Sequence, residues 1–138
     1  MAVEPSLAGR TFPATAPYTV SAERISEFAA ATGSTYDGAA DAPAPATFPL
    51  VVAFGAMTAL MEDPSVGISL HQVVHGEQRF TYTRPVVAGD ELIATLTADS
   101  LRQIGGADII GTRSEITDAG GRPVCTAYAT LVHRGDAG

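Results

Sequence analysis

Val74-His75-Gly76-Glu77-Gln78-Arg79-Phe80-Thr81-Tyr82-Thr83-Arg84-Pro85-Val86-Val87-Ala88-Gly89-Asp90-Glu91-Leu92 is the part of this chain that carries most information. Its first half alternates as a β-strand does, which predicts that His75, Glu77 and Arg79 share one face. Three ionisable groups on one strand face are costly to bury unless they pair or have a task. After Pro85, the triplet Ala88-Gly89-Asp90 has the composition of a tight turn that reverses the chain into a second alternating strand.

Downstream of this stretch the same pattern continues. Strands are expected over 73–84, 91–101, 107–118 and 123–133, joined by segments rich in Gly, Ala and Asp, as in an antiparallel meander. Leu92, Ala94, Leu96 and Ala98 alternate with polar neighbours and mark one core face. In the last strand Val124, Thr126, Tyr128, Thr130 and Val132 oppose Cys125, Ala127, Ala129, Leu131 and His133, so both faces are expected to be partly covered. Upstream, residues 50–61 are almost unbroken apolar sequence closed by Glu62, Asp63 and Pro64. Spanning a bilayer takes about 20 apolar residues, so this segment reads as a helix buried on most sides, with Thr47 as its cap and Pro49 in its first turn.

A shorter amphipathic helix precedes it. Ser21 suits an N-cap, Glu23 the first turn, Ile25, Phe28 and Ala29 the buried side, and Gly33 the stop. The opening, with Pro5, Pro13 and Pro17, reads as an extended lead-in with a short strand near Thr11 and Phe12. The whole predicts an α+β fold in one domain, 1–138: an antiparallel sheet of about five strands wrapped round a central apolar helix.

Composition narrows the functions. The chain has 138 residues, 46% hydrophobic and 17% charged, which is globular and long enough for a real core. Its net charge of −7 disfavours a nucleic-acid backbone as partner and gives no attraction to an anionic membrane. A single cysteine, Cys125, excludes an internal disulfide and a cysteine-based zinc cluster. No signal-peptide pattern opens the sequence, so the expected location is the cytoplasm.

His75-Gly76-Glu77-Gln78, followed by Phe80, Pro85-Val86 and Gly89-Asp90-Glu91-Leu92, resembles the MaoC-like dehydratase/hydratase branch of the hot-dog superfamily. More narrowly, it is similar to the N-terminal, FAS1-like dehydratase type of domain and to the non-catalytic subunits of paired (3R)-hydroxyacyl-ACP dehydratases. The resemblance covers nearly the whole chain. It implies work on β-hydroxyacyl or enoyl thioesters held on coenzyme A or an acyl carrier protein, with no further cofactor and no metal.

Catalytic members of that family present an Asp and a His, separated by four residues, on the loop before the central helix, where they handle protons. Here Asp37 is followed five residues on by Ala42, and Asp41 by Ala46. None of the histidines, His71, His75 and His133, stands near that loop in sequence. The resemblance therefore implies a subunit that shapes the acyl-chain pocket while a dyad-bearing hot-dog partner supplies the chemistry, in a heterodimer; a homodimer stays open. This loop is also shorter and richer in Ala and Pro than the family pattern.

On that reading the substrate-binding candidates are Phe48, Phe54, Met57, Met61, His75 and Tyr82, with Arg79 and Arg84 as contacts to the phosphopantetheine arm or its carrier. His75 and Glu77 are the only candidates for direct chemistry, and a satisfied ion pair or interface hydrogen bonds explain them equally well. His71 is expected at the surface and His133 without a functional role. Asp90 fits a turn, and Cys125 a buried packing thiol. Two other classes remain open. One is a self-contained thioesterase, which needs a carboxylate projecting from the central helix, where no acid precedes Glu62. The other is a non-enzymatic protein that binds acyl thioesters.

Overall fold

The computed structural model describes residues 3–134. Two helices, α1 (Ala22–Thr32) and α2 (Leu50–Glu62), accompany five strands: β1 (Tyr18–Thr19), β2 (Val73–Tyr82), β3 (Glu91–Ile104), β4 (Ala107–Thr117) and β5 (Pro123–Arg134). The sheet is antiparallel in the order β1-β3-β4-β5-β2, and α2 packs across β3 and β4. This is the helix-and-curled-sheet arrangement that the sequence implied.

Local signals explain the helices. Ser21 Oγ accepts from the Arg24 N–H at 3.1 Å, and Gly33 ends α1 in the left-handed region at φ 73°, where a Cβ would be strained. Thr47 does not cap α2 with its side chain. Pro49 holds the cap position, and only backbone bonds close the first turn. Val52, Ala53, Ala56, Met57 and Leu60 are buried, whereas Val51, Phe54, Gly55 and Thr58 are exposed. The helix is therefore covered along one side and not on most sides: a sheet offers only one surface.

Leu92, Ala94, Leu96 and Ala98 face inward as their alternation predicts. Thr112 and Ser114 on β4 and Ala127 and Ala129 on β5 are also buried, and such small residues let α2 lie close to the sheet. Thr112 satisfies its hydroxyl on the Ala129 carbonyl at 3.2 Å.

The meander holds for β3, β4 and β5 but not for β2. β2 does not form a hairpin with β3; it pairs with β5 at the far side of the sheet. The segment after β2 must therefore cross the ends of the intervening strands, and side chains fix its path. The Arg84 guanidinium reaches Asp90 at 2.9 and 3.2 Å and Asp118, in the β4–β5 turn, at 3.4 Å. Asp90 Oδ2 also accepts from the Val87 N–H at 2.9 Å. These bonds hold the Arg84 charge more firmly than usual, Asp90 first.

The two outer edges of the sheet differ. Along β3, residues 9–15 donate or accept at Ala94, Leu96 and Ala98, Thr11 bridges Thr97, and β1 pairs with Leu92 and Glu91. That edge is covered by the chain's own lead-in. The outer edge of β2 pairs with no strand of this chain among the described residues, and such edges are normally covered by something.

Candidate functional site

The open edge strand does not present its ionisable residues as strict alternation predicts. His75 pairs with Leu131, but Glu77 pairs with Thr130, so Gly76 is an extra residue and the register shifts between His75 and Glu77. One inserted residue inverts the facing of everything before it. His75 consequently lies on the face of Gln78, and its Nε2 donates to Gln78 Oε1 at 2.9 Å. Glu77 and Arg79 lie on the opposite face, opposite Thr130 and Tyr128 in register, with the Arg79 guanidinium 3.9 Å above the Tyr128 ring centre. The expected trio is thus split by a bulge, and His75 and Glu77 do not act as neighbours.

Gln78, Phe80 and Tyr82 pair with Ala129, Ala127 and Cys125, so they follow His75 along the helix side of β2. Phe80 and Tyr82 have ring centres 6.4 Å apart. Tyr82, 38% exposed, donates its hydroxyl to the Ala46 carbonyl and so ties the strand to the loop before α2. Burial, then the neighbouring Cys125, pushes the Tyr82 phenol up to about 12.

Two cavities flank that loop. One, of 340 Å3, is lined by Pro43, Ala44, Ala46, Tyr82, Thr83, Arg84 and Pro85. The other, of 330 Å3, is lined by Thr35, Tyr36, Asp37, Ala42 and Pro43. Pro43 belongs to both. A larger charged cavity of 740 Å3 lies on the other side of Thr83 and Arg84 and includes Asp90, Glu91, Asp118 and Arg122.

The loop's own polar groups serve its conformation. Asp37 Oδ1 accepts from the Ala39 N–H at 2.8 Å, an Asx turn, and Ala42, five residues on, is buried. The nearest acids to the central helix are no better placed. Glu62 is its last residue, and Asp63 is held low by Ser65 and by Arg10, whose guanidinium lies 2.6 Å away. Among the described residues no group of three or more His, Cys, Asp or Glu side chains could hold a metal ion. None of the helices is long and apolar enough to cross a membrane.

The remaining candidates separate by position. Phe48 and Met57 are core residues, Phe48 with its ring edge-on to Phe28 at 5.4 Å. Met61 is partly buried, and Phe54 stands 53% exposed on α2. Of the substrate-binding candidates, Tyr82 lines the 340 Å3 cavity and His75 shares its face, while Phe48 lines a separate cavity of 250 Å3 with Phe28 and Val51. Of the two arginines, Arg84 lines the apolar and the charged cavity at once. His71 is exposed, whereas Cys125 is buried and its thiol is pushed up to about 11 by burial, with the Arg84 charge opposing.

Reasoning from sequence named Gln78 and Phe80 as motif residues but not as site candidates, and did not single out Tyr36 or Pro43. Gln78 was visible in the His-Gly-Glu-Gln run, but its partner could be found only once the bulge was placed. The Tyr36 hydroxyl is buried without a partner among the described residues, and nothing in its sequence context announces that.

One helix, α2, laid across a curled antiparallel sheet defines a hot-dog fold. A family model described as "FAS1-like, dehydratase domain region" matches residues 6–127, and the chain belongs to that family. A UPF0336 protein of Clavibacter michiganensis subsp. michiganensis is 48% identical, with 99% of each chain covered. A truncated HadBC (3R-hydroxyacyl-ACP dehydratase) complex from Mycobacterium tuberculosis contains a chain 31% identical, with a TM-score of 0.77 over 91% of this chain and 96% of that one. A MaoC-like dehydratase is 29% identical with a TM-score of 0.81; the match covers 95% of this chain and 43% of that one.

Proposed function

We propose that this chain is the pocket-shaping subunit of an (R)-specific 3-hydroxyacyl-thioester dehydratase, or enoyl-thioester hydratase, whose Asp/His dyad stands on a partner hot-dog subunit. One observation carries the reading. The loop that would hold a proton-transfer pair holds Asp37 in its own turn and the buried Ala42, while pocket residues line an edge strand left open for a neighbour. Adding water to an enoyl thioester, or removing it, requires a base and an acid within reach of the reacting carbons. Among the described residues, the loop before α2 offers walls and no such pair.

In this scheme the acyl group lies against Tyr82, Phe80 and the 43–46 segment, and His75 with Gln78 orients the partner's side of the pocket. The pantetheine arm of coenzyme A or an acyl carrier protein runs toward the charged cavity, past Arg84. Arg84 acts there as part of a neutralised cluster with Asp90 and Asp118, not as a free cation. Arg79, on the far face, can meet only the carrier's surface.

The test is enzymatic. The purified chain is assayed with crotonyl and longer enoyl thioesters, alone and mixed with a dyad-bearing hot-dog subunit from the same cells. Turnover is expected only in the mixture. Hydration by the isolated chain, unchanged after rigorous removal of host enzymes, would place the chemistry here and end the proposal.

A further inference from the structure

His133, which sequence gave no functional role, is one of the most buried side chains in the molecule, at 1% exposure. Its Nδ1 donates to Asp108 Oδ2 at 3.0 Å, and its Nε2 accepts from the Ser69 N–H at 3.0 Å. Asp108 in turn accepts from the Val3 N–H at 3.2 Å and from Gln103 Nε2 at 2.9 Å. One buried pair thus gathers the lead-in, β3, β4, β5 and the segment that enters β2. The hydrogen bonds to Asp108 outweigh its burial and hold its carboxyl below the ordinary range.

The Ser69 bond is the informative one. Residues 70–72 form a single 3-10 turn, closed by Val73 N–H on the Leu70 carbonyl, and Val73 then opens β2 opposite His133 itself. His133 therefore fixes both ends of the same turn, its side chain at Ser69 and its strand position at Val73. On the turn stands Leu70, 52% exposed, and just beyond it Val74, 64% exposed. They are among the most exposed large apolar side chains of the described molecule, and both stand where the open edge begins.

The geometry points to His133 as a positioning residue for assembly. Held by Asp108, it fixes the 69–73 turn so that Leu70 and Val74 meet the hot-dog subunit that continues the sheet at β2. The inference rests on the partner reading above, and names the contact through which that partner docks. Apolar side chains preset on a rigid turn bind without first paying an ordering cost, which is how small contacts become anchors.

Two measurements test it. Hydrogen exchange followed by NMR on the chain alone should show the amides of residues 69–74 exchanging about tenfold faster or more in His133→Ala, with the core strands still protected. His133→Gln, whose amide can donate to Asp108 and accept from Ser69, should recover most of that protection. Equal protection in wild type and His133→Ala, or equal loss in both variants, overturns the positioning role. Sedimentation of the chain with the dyad-bearing subunit should show association weakened about tenfold or more by the surface variant Leu70→Ser/Val74→Ser, which needs no core change and so folds even where His133→Ala does not. Association in wild type that this variant leaves intact overturns the contact. No association of wild type with any hot-dog subunit or with itself refutes the partner reading instead, and the exchange data still judge His133.

Discussion

His75 and Gln78 are three residues apart on one strand, yet their side chains meet at 2.9 Å because Gly76 adds a residue to the β2–β5 pairing. A regular strand would put them on opposite faces. The bulge brings His75 to the face of β2 that carries Gln78 and Tyr82, with Glu77 on the other.

Deleting Gly76 should therefore matter far more than filling it. The deletion restores strict alternation and turns His75 to the outer face, so the His75–Gln78 bond and partner association are expected to be lost, the latter by about tenfold or more. Gly76→Ala places its Cβ in ordinary contact, 3.5 Å from the Thr130 carbonyl oxygen and 3.6 Å from Val132 Cγ2. Denaturant unfolding of that variant should stay within about 1 kcal/mol of wild type.

His75→Ala, assayed in the reconstituted complex, is expected to raise KM severalfold and leave kcat within about threefold, the pattern of lost uniform binding. A fall in kcat of orders of magnitude at unchanged KM would make His75 a proton-transfer residue and relocate the chemistry to this chain.

Tyr82 provides a pH signature. Its folded phenol ionises only near 12, above the unfolded value of about 10. A raised folded value means the native state holds this proton more tightly. That contribution to stability is complete below pH 10 and fades as pH rises toward 12. Ultraviolet titration should detect a late-ionising tyrosine that Tyr82→Phe lacks. The same variant loses the bond to Ala46 and should be about 1 kcal/mol less stable at neutral pH.

Cys125 should be inert in the folded chain. Its thiol is buried and ionises only near 11, so almost no thiolate exists at pH 8. Labelling by a disulfide reagent should be slow in native buffer and complete within minutes in denaturant. Fast native labelling would mean that β5 opens readily beneath β2.

Much of this architecture was readable from periodicity. The alternation of Leu92 to Ala98 and the apolar run before Glu62 placed β3 and α2, because burial on one face leaves a regular imprint on sequence. Two things left no such imprint. The departure of β2 from β3 depends on which edge lies free after the sheet assembles, a long-range matter that Ala88-Gly89-Asp90 does not encode. The bulge at Gly76 depends on hydrogen-bond register with β5, and its glycine has no positive φ to advertise it. For the same reason His133 looked peripheral: its partners Asp108 and Ser69 lie 25 and 64 residues away in the chain.

The lead-in along β3 also sets a stoichiometry. A sheet with two free edges can grow without limit, one molecule after another, into a fibre. On the β3 side the outermost strand is the two-residue β1, too short an edge to template another strand, so strand addition is expected at β2 alone and growth should terminate at a pair. Removing residues 9–19 should turn a finite complex into an open-ended polymer, visible as light scattering that rises with concentration and never plateaus.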